Sequence, residues 1–197
     1  QEFVDLIAFG NNNFSKELDD LSLLLDWIEN SSDLSSEIYL LGHSRGGSVS
    51  ILKAVEDKRV KKVISWASPS DLLNRISKEK INQWKQNKVI YVYNGRTKQD
   101  MPLYIQFHDD TINNRNRFNM QNAVKNLSIP QLIIHGDIDT TVEFQEAKFM
   151  HEWNQSSELL LIKNGDHVFG ATHPFEGNDL PKQLKEAVYK TIEFLNL

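Results

Sequence analysis

The sequence predicts an α/β protein with a mostly parallel sheet flanked by helices. Short apolar segments alternate along the chain with longer segments in which apolar residues recur at helical spacing. This alternation is typical of a parallel sheet whose strands are connected by helices. The short segments are also almost continuously apolar, as expected of strands that are covered on both faces.

Four segments are predicted to form the strands of this sheet, namely 37–41, 60–67, 131–134 and 158–162. Helices are predicted at 15–30, 48–55, 143–154 and from Pro181 onward, because apolar side chains fall on one face there. Residues 1–12 are predicted to form a loop, since they contain a Gly-Asn run.

Residues 72–127 differ in character from the rest of the chain. They are polar, rich in Asn, Lys and Gln, and only weakly periodic. We interpret them as an inserted, mostly helical cap with one turn at Asn94-Gly95. The domain organisation would then be a core in two parts, 1–71 and 128–197, separated by the cap.

Composition excludes several classes of protein. Of the 197 residues, 40% are hydrophobic and 25% are charged, which is typical of a folded globular chain. A net charge of −5 argues against a partner that is a nucleic acid or an anionic membrane. No apolar run approaches the roughly 20 residues of a membrane helix. The absence of cysteine excludes disulfides, thiolate zinc sites and a cysteine nucleophile.

A serine follows the first strand in a glycine-rich turn, Gly42-His43-Ser44-Arg45-Gly46. A strained turn between a strand and a helix would project the serine hydroxyl above the sheet, as a nucleophile requires. Side chains two residues before and after the serine would collide, which explains Gly42 and Gly46. The N-terminal end of the helix would stabilise an oxyanion, with the amide of Arg45 as the candidate donor. A turn that binds phosphate or only packs is the alternative.

A serine hydroxyl needs a base that is oriented by an acid before it becomes a useful nucleophile. Asp139 and His167 each follow an apolar strand, and their order after Ser44 fits this requirement. Asp137 is an alternative acid, although its position is more typical of an Asp that caps a turn. Asp166 adjoins His167 and is interpreted as a loop residue.

The other histidines are interpreted as structural. His43 is expected to point away from the serine, and His135 is expected to serve packing or a turn. His108, with Asp109 and Asp110, could suggest a metal site, but no second cluster of ligands accompanies it. His151 and His173 lack any partner at a suitable spacing. We therefore expect neither a metal nor a cofactor.

These motifs resemble those of the α/β-hydrolase superfamily over roughly residues 15–197. The motifs that carry the resemblance are Gly42-His43-Ser44-Arg45-Gly46-Gly47, His135-Gly136-Asp137-Ile138-Asp139 and Gly165-Asp166-His167-Val168-Phe169. The chain is similar in particular to esterases and acyl-peptide-processing enzymes. That resemblance implies Ser44 as nucleophile, Asp139 as acid and His167 as base. The reaction would be cleavage of a carboxylic ester, thioester or amide, in a small molecule or a peptide, through an acyl-enzyme.

One part of that pattern is missing. The second oxyanion donor is expected from a loop after an earlier strand, and no such strand precedes Ser44. We therefore expect the C-terminal part of an α/β-hydrolase fold, truncated at its N-terminus. A homo-oligomer or a bound N-terminal portion would cover the open edge of the strand before Ser44. The alternative is an inactive fragment or a binding module.

Overall fold

The computed structural model describes residues 2–33 and 37–196. In chain order its elements are α1 (Leu6–Gly10), α2 (Phe14–Glu29), β1 (Ile38–His43), α3 (Arg45–Glu56), β2 (Val60–Trp66), α4 (Lys78–Asn87), β3 (Val89–Asn94), β4 (Gln99–Tyr104), α5 (Gln106–Asn113), α6 (Met120–Lys125), β5 (Gln131–Gly136), α7 (Gln145–Trp153), β6 (Glu158–Ile162) and α8 (Lys182–Leu195).

Four parallel strands form the main sheet, in the order β1-β2-β5-β6. All six residues of β5 are buried, because this strand lies inside the sheet and its faces are covered. The prediction of an α/β chain with a mostly parallel sheet is confirmed. Within the described residues, β1 pairs with β2 on one side and with no strand on the other.

An apolar cluster of the core lies between this sheet and α8. Ile64 of β2 and Ile134 of β5 are fully buried in it, and Phe169 is 1% exposed. Ala187 and Phe194 of α8 belong to the same cluster. Burying one large apolar side chain contributes about 1.5–3 kcal/mol, so Phe169 anchors the loop after β6 firmly to the sheet.

The chain divides into two compact units. One contains the residues up to Leu23 and Leu72–Asn119, and the other contains Leu24–Asp71 and the chain from Met120 onward. Residues 120–127, which the sequence placed in the cap, thus belong to the unit with the sheet. The reason is that α6 packs against α3 and buries Ala123 and Val124.

The first unit departs from the expected mostly helical cap. It contains α4 and α5, but β3 and β4 form an antiparallel hairpin between them, with Val92 opposite Met101. The sequence of β3, Val-Ile-Tyr-Val-Tyr, is rich in the β-branched and aromatic residues that favour strands. At the turn, the Asn94 side chain accepts hydrogen bonds from the amides of Arg96 and Thr97. The turn at Asn94-Gly95 is therefore a hairpin turn.

The expected N-terminal loop contains the short helix α1. The Asp5 side chain accepts a hydrogen bond from the Ala8 amide at 2.8 Å, which is a typical N-cap contact. Within the same unit, Phe14 of α2 packs against Phe107 and Phe118, with ring centroids 4.9 and 5.4 Å apart. Across residues 2–33 and 37–196, none of the helices combines the length and the apolar character needed to cross a membrane.

Candidate active site

Ser44 sits in the turn between β1 and α3 with φ 55° and ψ −130°. A non-glycine residue in such a conformation costs on the order of 1–3 kcal/mol, so its surroundings must hold it there. The Ser44 amide donates to the carbonyl of Trp66 in β2 at 2.7 Å. Because α3 begins at Arg45, the positive end of a 12-residue helix lies beside the serine.

Close approach of α3 to β1 explains the glycines of this turn. A β-carbon on Gly42 would overlap the backbone of Gly46, and one on Gly47 would overlap the Ser68 hydroxyl. At Gly46 itself, a β-carbon would meet no atom of the described residues within 4 Å outside its own helix and chain neighbours. The expected collision is therefore present for Gly42 but not for Gly46, and Gly47 is the second position that needs glycine.

Two loops meet at the carboxyl ends of β5 and β6. A β-carbon on Gly136 would overlap the carbonyl group of Gly165, so the two backbones lie in direct contact. The Ile138 amide also donates to the Gly165 carbonyl at 3.1 Å. This contact sets the loop that carries Asp139 beside the loop that carries His167.

The structure brings Ser44, His167 and Asp139 into one hydrogen-bonded chain. His167 Nδ1 lies 2.8 Å from Asp139 Oδ2, and His167 Nε2 lies 3.1 Å from Ser44 Oγ. An ionised carboxylate only accepts hydrogen bonds, so Nδ1 carries the ring proton and donates it to Asp139. In this tautomer Nε2 accepts a hydrogen bond from the Ser44 hydroxyl. The Asp139 side chain is fully buried, whereas His167 is 19% exposed.

The surroundings of Asp139 keep its carboxyl group ionised. Burial alone would raise the pKa of Asp139, but hydrogen bonds from the amides of Val142 and Thr141 and from His167 together lower it. The two amides donate to Oδ1 at 2.9 and 2.8 Å, which leaves Oδ2 for the imidazole. Backbone amides carry no sequence signature, so these two donors could not be identified from the sequence.

His135 is a second histidine next to the Asp139 carboxylate. It is fully buried, its Nε2 donates to the Val142 carbonyl at 2.8 Å, and the same nitrogen lies 3.3 Å from Asp139 Oδ2. Burial lowers the pKa of His135, so the ring stays neutral. His135 therefore holds the segment around Asp139 in place, in keeping with the packing or turn role expected from the sequence.

The two alternative acids serve turns. Asp137 accepts a hydrogen bond from the Asn164 amide at 2.6 Å. Asp166 accepts from the amides of Val168 and Gly170 at 3.1 and 2.7 Å. The carboxylate that bonds to His167 is that of Asp139.

His43 differs from the expectation that it points away from the site. Its Nε2 lies 2.7 Å from the carbonyl oxygen of His167. The two imidazole rings are tilted by 51°, with centroids 4.8 Å apart. The spacing of the two residues in the sequence gives no sign of this contact, because it depends on how the loop after β6 turns back over β1.

The acidic cluster near His108 has a structural role. Asp110 accepts hydrogen bonds from the amide and hydroxyl of Ser15 at 3.1 and 2.6 Å, and Asp109 lies 3.3 Å from His108 Nδ1. Over the part of the chain that the structure describes, no group of three or more His, Asp or Glu side chains could hold a metal ion.

The sequence matches no protein-family model and no curated protein. The structure is similar to that of Est1E from Butyrivibrio proteoclasticus, with 20% identity and a TM-score of 0.68, over 95% of this chain and 71% of that one. It is also similar to the α/β-hydrolase GrgF from Penicillium sp. sh18, with 16% identity and a TM-score of 0.71, over 93% and 72% of the two chains.

A third similar structure is the esterase domain of a Rhodothermus marinus protein, with 18% identity and a TM-score of 0.56. The match covers 82% of this chain but only 62% of that one. The chain thus spans 62–72% of the length of these three structures, and less than two thirds of the first of them. At these identities the likeness concerns the fold. The chain has the α/β-hydrolase fold, as its sequence motifs predicted.

Proposed function

We propose that this chain is a serine hydrolase that cleaves an acyl substrate through an acyl-enzyme. The observation that carries the proposal is the hydrogen-bonded chain from buried Asp139 through His167 to Ser44. A buried carboxylate, an imidazole in a fixed tautomer and a strained, partly exposed serine are the groups that such chemistry requires. Asp139 acts as the acid of the triad, His167 as the base and Ser44 as the nucleophile.

In the first half of the reaction, Ser44 Oγ attacks the acyl carbon while its proton passes to His167 Nε2. The imidazolium that forms is stabilised by the ionised Asp139 carboxylate at 2.8 Å. His167 then gives this proton to the leaving group, and the bond between acyl carbon and leaving group breaks. The acyl group remains on Ser44.

In the second half of the reaction, a water molecule takes the place of Ser44 as the nucleophile. His167 Nε2 takes a proton from water as the water oxygen attacks the acyl-enzyme, and then returns a proton to Ser44 Oγ. The products are a carboxylic acid and the regenerated serine hydroxyl. The same three groups thus serve both steps, and no redox partner is consumed.

The negative charge that develops on the acyl oxygen requires hydrogen-bond donors. The backbone amide of Arg45 is the donor we propose, because it is the first residue of α3 and follows Ser44 directly. The positive end of the helix dipole adds to its effect. One such donor is worth on the order of 10²–10³ in rate.

A carboxylic ester is the substrate class we favour over a thioester or an amide. The Rhodothermus marinus protein is described as an esterase domain, and ferulic acid is bound in the Est1E structure. Ferulic acid is a carboxylic acid, which is the acyl product that ester hydrolysis releases. These likenesses favour an ester, in a small molecule or an acylated peptide.

Hydrolysis of p-nitrophenyl acetate tests the proposal. We expect a burst of p-nitrophenol equal to the enzyme concentration, because the acyl-enzyme accumulates, followed by steady turnover. Ser44→Ala should abolish both phases, whereas Ser156→Ala, at another exposed serine, should change neither. A folded wild-type protein without burst or turnover would support the alternative, an inactive α/β-hydrolase fragment.

A further inference from the structure

We propose that His43 is a positioning residue for His167, an inference that rests on the proposed function. His43 Nε2 lies 2.7 Å from the carbonyl oxygen of His167. A carbonyl oxygen can only accept, so His43 carries its proton on Nε2 and donates it to the backbone of the residue that we propose as the base. The hydrogen bond of His43 is made to the backbone of His167 and not to a reacting atom, so its effect passes through His167.

The hydrogen bond from His43 holds the backbone of His167, whereas Asp139 and Ser44 bond to its imidazole ring. Asp139 holds the imidazole at Nδ1, 2.8 Å away, and His43 holds the backbone carbonyl. Two anchors at opposite ends of one residue restrict both its backbone and its ring. With the ring so restricted, His167 Nε2 stays 3.1 Å from Ser44 Oγ, a distance at the long end for a hydrogen bond.

The position of His43 in the chain gives this bond a second consequence. His43 is the last residue of β1, and Ser44 follows it with φ 55°. Two successive residues therefore bond to His167. His43 bonds to the backbone carbonyl of His167, and Ser44 bonds to its imidazole ring. The end of β1 and the loop after β6 are thereby tied in the register that aligns nucleophile and base.

Ring packing supports the same arrangement. The imidazoles of His43 and His167 lie with centroids 4.8 Å apart and planes tilted by 51°. The His43 ring thus packs beside the ring of His167 as well as donating to its backbone. Because a displacement of about 1 Å can cost on the order of 10² in rate, loss of this support should be measurable.

Two substitutions separate the hydrogen bond from the bulk of the side chain. His43→Leu introduces an apolar side chain of similar size without a donor, and His43→Gln places an amide N–H near the position of Nε2. We expect His43→Leu to lower kcat for p-nitrophenyl acetate by about 10–100-fold with KM within about twofold. His43→Gln should restore kcat to within about fivefold of wild type. His151→Leu, which removes a histidine bonded to Ser157 elsewhere, is the matched control and should leave kcat unchanged.

Nuclear magnetic resonance of protein labelled with ¹⁵N-histidine supplies a measurement that does not depend on turnover. In the wild type we expect the Nε2–H tautomer for His43 and the Nδ1–H tautomer for His167. In His43→Leu, the Nδ1 proton of His167 should exchange faster with solvent, although circular dichroism shows an intact fold. A purely structural role for His43 would change the melting temperature without this selective effect.

Three results would overturn the inference. They are an Nδ1–H tautomer at His43, a His43→Leu enzyme with wild-type kcat and unchanged proton exchange at His167, and a His43→Gln enzyme as impaired as His43→Leu. Absence of turnover in the wild type would contradict the proposed hydrolase. The tautomers and the proton exchange would still decide whether His43 positions His167.

Discussion

Gly136 and Gly165 pack backbone against backbone, so closely that a β-carbon on Gly136 would overlap the Gly165 carbonyl. Gly136 is the last residue of β5 and Gly165 lies in the loop after the neighbouring strand β6. Their contact fixes the spacing between the loops of Asp139 and His167. The bond of 2.8 Å between those side chains depends on this spacing. A methyl group at position 136 should therefore disturb the site and the fold together.

Gly136→Ala should lower the free energy of unfolding by about 1–3 kcal/mol, because the added methyl group forces the two loops apart. The rate of p-nitrophenyl acetate hydrolysis that we propose for this chain should fall as well. Gly95→Ala is the matched control, since a β-carbon there would meet no atom of the described residues within 4 Å. Urea unfolding and initial rates check both variants, and equal stability of the two would contradict the loop contact.

Asp139→Asn should lower kcat by about 10⁴-fold, since an amide in place of the carboxylate favours the wrong tautomer of His167. Asp137→Asn is the matched control, because it makes the same substitution two residues away. It should keep activity within about fivefold, because Asp137 bonds to the Asn164 amide and an Asn side-chain oxygen can accept the same bond. If Asp137→Asn were the more damaging change, the choice of acid would be wrong.

Ser44→Gly should be more stable than Ser44→Ala by about 1 kcal/mol. Both variants remove the hydroxyl, but only glycine adopts φ 55° without strain. Part of this gain is lost to the greater freedom of glycine in the unfolded chain. Chemical denaturation of the two variants measures the difference, and an alanine variant as stable as the glycine variant would show that the turn is not strained.

The lowered pKa of Asp139 predicts loss of stability in acid. In the unfolded chain this carboxyl has a pKa near 3.8, and in the folded chain the value lies lower. Its contribution is therefore fully present above pH 3.8 and disappears as the pH falls through the folded pKa. The free energy of unfolding should fall more steeply below pH 4 for wild type than for Asp139→Asn. Parallel curves would contradict this assignment.

The edge of β1 predicts self-association. In the described residues β1 pairs only with β2, and Leu41 on this strand is 47% exposed. An apolar strand with an open edge is a template for pairing with another chain. Size-exclusion chromatography with light scattering should give a mass above 22.8 kDa, or show a second polypeptide. A monodisperse monomer would contradict the prediction.

The sheet could be predicted from the sequence because its signals are local. The strands of the parallel sheet, β1, β2, β5 and β6, each contain a short apolar run. The turn with Ser44 directly follows the first of them. Asp139 and His167 could be identified because parallel strands end at one edge of a sheet. Their positions after β5 and β6 therefore predict that both residues lie near Ser44.

The remaining features depend on contacts between distant segments. The bond of His43 to the His167 carbonyl joins residues 124 positions apart. The need for glycine at Gly47 arises from Ser68, in the loop after β2. The hairpin of β3 and β4 is a different case, since its β-branched and aromatic residues do carry a strand signal. The polar, Asn-rich composition of the surrounding segment obscures this strand signal, which is why the sequence predicts a mostly helical cap there.

Labelling with a fluorophosphonate, followed by peptide mass spectrometry, tests the central claim most directly. The account predicts a single adduct on the peptide that contains Ser44. The adduct should be absent from Ser44→Ala and should form at least about 10³-fold more slowly in His167→Ala, where the base is lost. A folded wild-type protein that stays unlabelled, or that is labelled on a different serine, would contradict the claim that Ser44 is an activated nucleophile.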